Sequence, residues 1–324
     1  MLRYGVKPKE WAVKDVPERA PKYGEVKIQV KYAGICGSDL HMYLGMFDVP
    51  GNVVSGHEFS GIISEIGDGV TGFKVGDRVT AEHTFAVCEK CEACRKGNYQ
   101  LCKERVSVGF DVDGGFAEYV IVSGKYVHLL PDSISLAEGA MTEPLACALH
   151  AVELIAPKAA QKVLVVGPGP IGLLTGLCFK AYNCLVDIIG TPADRLRLDK
   201  AVQVGINVIN TPEDSSYDIV ADCSGSEKGI DAGLKAIKAG GRYLQVGIAG
   251  KPVTINFDAL LYKEISIQGT YCHNYPTWER ALAMEKMGLI DLKPIISEEI
   301  ALDQWENAIE RLMKQEAIKI LVRF

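Results

Sequence analysis

Two rhythms of apolar positions divide the chain. Up to about residue 135, short runs such as EVKIQV (Glu25 to Val30) and FAEYVIV (Phe116 to Val122) alternate or stay apolar and then stop at Gly, Pro or Asp. Runs of that kind are strand signals, and their number predicts a β-rich first region, a barrel or sandwich. The rhythm changes in PDSISLAEGAMTEPLACALHAVELI, where Ser135 can cap a helix with Glu138 three residues on and the apolar positions through Ile155 follow helical spacing, with Pro144 at a break or new start.

From KVLVVGPGPIGLLTGLCFKAY onward, strands and helices alternate. CLVDIIG, a helix over Ala193 to Val204, DIVADCSG, a helix over Lys228 to Lys238, and GRYLQVG follow in turn. Strands separated by helical stretches imply βαβ units and a parallel sheet. The fold class is therefore α/β, with a β-rich domain over 1–143 and a Rossmann-type, doubly wound domain over 144–270. The last fifty or so residues read as mainly helical, ending in the strand IKILVRF, and the pattern alone assigns them to neither domain.

Length and composition agree with this division. A chain of 324 residues suggests about two domains. A content of 48% hydrophobic and 23% charged residues with 33 glycines is that of a mixed α/β globular protein. A net charge of −6 gives no broad basic surface for nucleic acid phosphates. No run reaches the roughly 18 apolar residues of a membrane span, and MLRYGVKPKEW lacks the apolar core of a signal peptide. A cytoplasmic protein without nucleic acid or membrane partners is expected.

The chemistry begins at GPGPIG. Gly167, Gly169 and Gly172 fit GxGxxG directly after a buried strand and before a helix. In that context the first allows the tight turn, the second lets amides approach a pyrophosphate and the third permits close packing of helix on strand. Pro170 and Ile171 fall within this turn, and Val246 and Gly247, at the end of GRYLQVG, are assigned to the same cofactor site. The acid that binds the adenosine ribose of NAD is missing: the second strand ends in Gly190 and Thr191, with Asp187 too deep in it. Thr191, Arg195 and Arg197 are suited to a 2′-phosphate, although both arginines also fit a solvated helix face. NAD or NADP stays open, with a modest preference for NADP.

Ten cysteines remain to be explained. Cys88, Cys91, Cys94 and Cys102 read CxxCxxCx₇C among Lys90, Arg95, Lys96 and Lys103, a spacing suited to a closed Cys₄ zinc site; it differs from the ferredoxin patterns. Cys147, Cys178, Cys184, Cys223 and Cys272 stand among apolar or small residues and are expected to pack as small hydrophobes. Cys36 in GICGSDLH, with His57 and Glu58 in GHEFSG, offers a second group of donors that zinc accepts.

Taken in order, GICGSDLH, GHEFSGIISEIGDGV, GFKVGDRV, the four-cysteine lobe, the EP dipeptide and the late glycine turn resemble the zinc-dependent medium-chain dehydrogenases, especially their sorbitol, threonine and butanediol dehydrogenase branch. The likeness covers essentially the whole chain, with Ala33 where the motif usually has valine. It implies a GroES-like domain completed by 271–324 and an active site in the cleft between domains. It also implies two zinc ions per chain, the catalytic one held by Cys36, His57 and Glu58, with Glu143 as a further or exchangeable ligand.

By the same resemblance, zinc lowers the pKa of a substrate hydroxyl whose carbon then gives hydride to nicotinamide. Ser38 takes the proton, His41 passes it to solvent, and Asp39 orients His57. The expected substrate is a small polyol or sugar alcohol, with L-threonine or a vicinal diol as alternatives. A non-catalytic zinc and nucleotide-binding redox sensor is the competing class. The resemblance further implies a homo-oligomer, commonly a tetramer. His273 in GTYCHNYPTW is either near the cofactor or an exposed loop residue; His150 is expected to be packed or exposed, and His83 and His128 carry no role.

Overall fold

A computed structural model describes residues 2–3, 9–46 and 53–324. The first region folds as β1 (Glu25–Gly34), helix α1 (Gly37–Tyr43), β2 (Glu58–Ile66), β3 (Arg78–Ala81), β4 (Tyr119–Ser123) and β5 (Val127–Leu129), with smaller elements between them. β1 is the hub, pairing antiparallel with both β2 and β4. Val26, Ile28 and Val30 are fully buried on one of its faces, the period of two that a half-buried strand requires.

Ser135 and Glu138 form the expected reciprocal cap: Glu138 N–H donates to Ser135 Oγ (3.2 Å) and Ser135 N–H to Glu138 Oε2 (3.0 Å). The helix they start is short, Leu136–Gly139, and a second helix, α2 (Thr142–Ile155), follows it. Pro144 lies in the first turn of α2, where a missing N–H costs nothing. Residue 143, the expected domain boundary, thus falls inside α2.

The middle of the chain supplies β6 (Lys162–Val166), α3 (Pro170–Ala181), β7 (Leu185–Ile189), α4 (Arg195–Gln203), β8 (Asn207–Val208), β9 (Tyr217–Asp222), α5 (Glu227–Ala236), β10 (Ile237–Gln245), α6 (Asp258–Lys263) and β11 (Ser266–Gly269). The six strands run parallel in the order β8-β7-β6-β9-β10-β11. That is the doubly wound sheet, whose order reverses beside β6 and opens a crevice at the strand ends. The helix expected over 228–238 stops at Ala236, because Ile237 is extended (ψ 139°) and Gly240 turns left-handed (φ 71°).

The final segment has α7 (Tyr275–Lys286), β12 (Ile296–Ile300), α8 (Trp305–Met313) and β13 (Lys319–Arg323). It therefore contains two strands where one was expected. β13 pairs antiparallel with β1 and parallel with β12, so the carboxyl-terminal strands extend the first sheet. α7 behaves differently: Trp278, Ala281 and Leu282 are buried with Leu145 and Leu149 of α2 and Leu173 of α3 in one core. The segment 271–324 is consequently shared between the two sheets. Among the described residues no helix is long and apolar enough to cross a membrane.

Candidate active site and metal centres

Cys36 stands at the N-cap of α1 in extended conformation, and Asp39 closes the capping box by accepting the Cys36 N–H through Oδ2 at 2.8 Å. The CGSD sequence thereby fixes the Cys36 thiol and the Asp39 carboxylate on one turn. Two strands converge on it. Donor atoms of Cys36, His57 and Glu58 lie within 4.8 Å of one another. Ser38 Oγ bridges two of them, donating to Cys36 Sγ at 3.1 Å and lying 3.4 Å from His57 Nε2. On the other edge of that ring, Nδ1 faces Asp39 Oδ1 at 3.9 Å, and neither buried atom has a closer partner.

These atoms fit zinc. The donors are sulfur, nitrogen and oxygen, a set zinc accepts; with Nδ1–H directed toward Asp39, the Nε2 lone pair faces the site. Burial and the Glu58 carboxylate push the Cys36 thiol up. Burial likewise raises the Asp39 carboxyl, to about 6, against the opposing effect of His57.

Glu58 has a partner that the sequence did not announce. Lys319 Nζ, on β13, donates to Oε2 and Oε1 at 2.6 and 2.8 Å and to Ile35 O at 3.0 Å, all of it buried. Gly34 makes room: a Cβ there would stand 2.2 Å from Glu58 Oε2.

Glu143 falls outside the 4.8 Å set of Cys36, His57 and Glu58 but borders it, since its charge acts on Cys36 and that of His57 acts on it. Its Oε1 is 3.1 Å from His83 Nδ1, 3.5 Å from His273 Nε2 and 3.3 Å from Cys147 Sγ. His83, unassigned by the sequence, therefore joins the site, and His273 is buried there at 1% exposure, which removes the exposed-loop reading. Cys147 and Cys272, expected to pack as hydrophobes, face this polar cluster. Their neighbours in sequence are small, but the fold brings Glu143 to one and Arg105 Nη1 (3.2 Å) and His83 Nε2 (3.4 Å) to the other. His150 is buried beside Gln100, and His128 lies between Glu82 and Glu279. Burial by itself would raise the Glu82 carboxyl, but His128 and His273 hold it down to about 2.

The cysteine lobe has a separate geometry. Sulfur pairs Cys91–Cys94, Cys88–Cys102 and Cys88–Cys94 are 3.4, 3.6 and 3.9 Å apart. These are too long for disulfides and bracket the edge of about 3.7 Å expected around zinc with Zn–S near 2.3 Å. The N–H groups of Cys91, Cys94 and Cys88 donate to Cys88, Cys91 and Cys102 sulfurs at 3.4 to 3.5 Å, so the backbone wraps the thiolates as the short spacings require.

At the sheet crevice, Gly167 is left-handed (φ 98°), and a Cβ on Gly172 would stand 1.9 Å from Gly167 O. Around Gly169 a Cβ would meet nothing within 4 Å, leaving open space at the N-terminus of α3 for a pyrophosphate. Pro170 and Ile171 begin that helix. Val246 and Gly247 donate their N–H groups to Asp222 O at 2.9 and 2.8 Å. Beyond Gly190, Thr191 Oγ1 is committed to Asp194 (2.8 Å), as is Arg197 (3.5 Å), while Arg195 is exposed. Of the loop LGMFDVPGN, expected to shape the substrate pocket, residues 47–52 lie outside the described residues.

A β-rich domain carrying a sulfur, imidazole and carboxylate donor set, joined to a dinucleotide-type sheet, defines an alcohol-oxidising nicotinamide enzyme. Residues 22–132 match the family described as Alcohol dehydrogenase GroES-like domain, and residues 170–286 that described as Zinc-binding dehydrogenase. The chain is 40% identical to a sorbitol dehydrogenase of Halalkalibacterium halodurans, covering 96% of this chain and 95% of the relative. It is 35% identical to a D-arabitol-phosphate dehydrogenase of Enterococcus avium, covering 92% and 89%. Among solved structures, a 2R,3R-butanediol dehydrogenase from Bacillus subtilis superposes with TM-score 0.90 at 31% identity over 100% of this chain and 99% of that one. A putative zinc-binding dehydrogenase from Sinorhizobium meliloti bound to NADP gives 0.91 at 28% identity over 98% and 97%. The chain belongs to the zinc-dependent medium-chain dehydrogenase/reductase family, in its sorbitol and butanediol dehydrogenase branch, and is an alcohol dehydrogenase.

Proposed function

We propose that this enzyme oxidises a secondary hydroxyl of a polyol or sugar alcohol with NAD or NADP, Cys36, His57 and Glu58 holding the catalytic zinc and the cysteine lobe a structural one. The observation that carries the reading is Ser38 Oγ, seated 3.1 Å from Cys36 Sγ and 3.4 Å from His57 Nε2. A bound zinc ion supplies the positive charge that makes a substrate hydroxyl acidic near neutral pH. Ser38 then stands where that proton leaves. Three residues along the same helix face, His41 is half-buried, and burial holds its imidazole below the ordinary histidine range. The pair forms a path from the site toward solvent. Asp39, tied to the Cys36 amide, fixes the His57 ring.

The glycine turn at Gly167, Gly169 and Gly172 holds the pyrophosphate, with Pro170 and Ile171 at the head of its helix. Gly190, Thr191 and Arg195 face the adenosine ribose, and Val246 and Gly247 the nicotinamide end. With Gly190 and Thr191 in place of an acid at the end of β7 and with Arg195 exposed, NADP is modestly preferred. The sorbitol and arabitol-phosphate relatives favour a polyol over threonine or butanediol. The protein acts in the cytoplasm as a homo-oligomer, a tetramer by analogy, on a small molecule, without nucleic acid or membrane partners. Its GroES-like domain, about 1–143, is completed from the carboxyl-terminal segment by β12 and β13, while α7, packed with α2 and α3, goes with the cofactor domain that begins near 144.

The test is a panel of sorbitol, xylitol, L-threonine and 2,3-butanediol, each with NAD and NADP. A polyol is expected to give the highest kcat/KM; preference for threonine or butanediol overturns the substrate assignment, and inactivity on the whole panel overturns catalysis of this class.

A further inference from the structure

Beside Cys36, His57 and Glu58 the fold buries a second convergence of donors, which adds His83 and His273 to Glu143. Three segments far apart in sequence meet there: His83 just after β3, Glu143 and Cys147 one turn apart on α2, and Cys272–His273 ahead of α7. His83 Nδ1, His273 Nε2 and Glu143 Oε1 form a triangle with sides of 3.1 Å (His83 to Glu143), 3.3 Å (His83 to His273) and 3.5 Å (His273 to Glu143). Three donors held at about 2.1 Å from one zinc ion in a tetrahedron stand about 3.4 Å from each other. The triangle has that size on every side.

The far edges of both rings face atoms that can accept a hydrogen bond, as they do in metal-bound histidines. His83 Nε2 is 3.4 Å from Cys272 Sγ, which also receives Arg105 Nη1 at 3.2 Å. His273 Nδ1, buried and without a hydrogen-bond partner, faces Glu82 Oε2 at 3.6 Å. Glu82 in turn is fixed by Tyr99 OH at 2.6 and 2.8 Å and by His128 Nε2 at 3.2 Å. Each imidazole thus directs one nitrogen at an acceptor and the other at a common point, the arrangement by which outer partners set the tautomer and aim the lone pair of a ligating histidine. Cys147 Sγ, 3.3 Å from Glu143 Oε1 and grouped with Glu143 and His273 within 4.8 Å, borders the triangle on its Glu143 side.

We propose that His83, His273 and Glu143 form a second divalent-cation site of the zinc class beside the proposed catalytic one. The His57 and His83 rings are 5.6 Å apart between centroids, so the two sites are neighbours. Loading the second site holds Glu143 away from the Cys36, His57 and Glu58 set and leaves the fourth position of that set to substrate. Zinc at the second site would therefore govern whether Glu143 acts as an exchangeable ligand at the first. This consequence rests on the proposed catalytic site; the existence of the second site does not.

The probe is zinc ion itself. Holoenzyme crystals equilibrated with zinc and measured on both sides of the zinc absorption edge are expected to show an anomalous peak about 2.1 Å from His83 Nδ1, His273 Nε2 and Glu143 Oε1, separate from peaks at Cys36 and in the cysteine lobe. Metal analysis of the same protein should give three zinc ions per chain, falling to two in His273→Gln or, should that variant not fold, in His83→Gln. Peaks at Cys36 and the lobe with none in the triangle, and two zinc ions per wild-type chain, overturn the second site alone. A missing peak at Cys36 with the triangle filled overturns the proposed catalytic site and leaves this one standing.

Discussion

Lys319 Nζ lies 2.6 and 2.8 Å from the two carboxylate oxygens of Glu58, and both side chains are sealed from solvent. Burial works against the charge on Lys319, but Glu58 and Cys36 outweigh it and raise the ammonium above its ordinary range. The pair ties the last strand of the chain to the donor set made by β1, α1 and β2. A carboxylate already held by an ammonium keeps its orientation whether or not a cation is present.

Lys319→Met should therefore strand a buried carboxylate. Breaking such a pair from one side costs about 3–5 kcal/mol, whereas replacing both partners costs far less. Urea unfolding of Lys319→Met, Glu58→Gln and the double variant should show the double variant more stable than the sum of the two single losses predicts. Additive losses would mean that the two groups do not support each other.

Ser38→Ala should lower kcat by about 10²-fold with little change in KM, the usual loss on removing a positioned proton-transfer group. Because burial holds His41 below the ordinary histidine range, its neutral, proton-accepting form persists to more acid pH than that of a free imidazole, near 6.5. The acid limb of kcat for oxidation should accordingly fall below that value and disappear in His41→Gln. A limb unchanged in that variant removes His41 from the proton path.

What could be read from the sequence depended on how local each feature is. GPGPIG and CEKCEACRKGNYQLC each place their functional atoms within a few turns of chain, so spacing alone carried the chemistry. Cys36, His57 and Glu58 came from a family likeness, since nothing in their spacing aims them at one point. Lys319 stayed hidden because it is 261 positions from Glu58 and sits in an apolar strand, IKILVRF, where a lysine reads as an edge charge. His83 and His273 are separated by 190 positions; only the fold shows that the segment after β3 and the loop before α7 meet over α2. Cys147 and Cys272 misled for a related reason: small sequence neighbours indicate burial but not what is buried alongside.

Cys102→Ser should remove one zinc ion per chain without emptying the Cys36 site, because the lobe sulfurs cluster only with one another among the described residues. The polar lobe has no apolar core of its own to replace the ion. Limited proteolysis should then cut within 88–102 in the variant and not in the wild type. Equal resistance in the two would show that the lobe keeps its shape unaided.

Arg195→Ala should raise KM for NADP by about tenfold or more, the loss of one charge-assisted contact to a phosphate, and leave KM for NAD within about twofold. Arg197, tied to Asp194 at 3.5 Å, should matter less. Steady-state kinetics with both cofactors decide the matter; equal effects on NAD and NADP would place Arg195 on a solvated helix face.

Glu285, on α7, is buried with neither carboxylate oxygen hydrogen-bonded. Burial first, then Glu138 and Asp291, push its carboxyl up to about 8, with Lys293 opposing them. A raised acid binds its proton more tightly in the folded chain. Its contribution is most favourable below the unfolded value near 4.5 and is lost progressively as pH rises to about 8. Glu285→Gln keeps the shape and abolishes the ionisation, so it should match wild type near pH 4.5 and exceed it by about 2 kcal/mol or more at pH 8. Urea unfolding at intervals across that window is the measurement. Parallel stability curves for the two proteins would show that Glu285 ionises in the folded chain as readily as in the unfolded one.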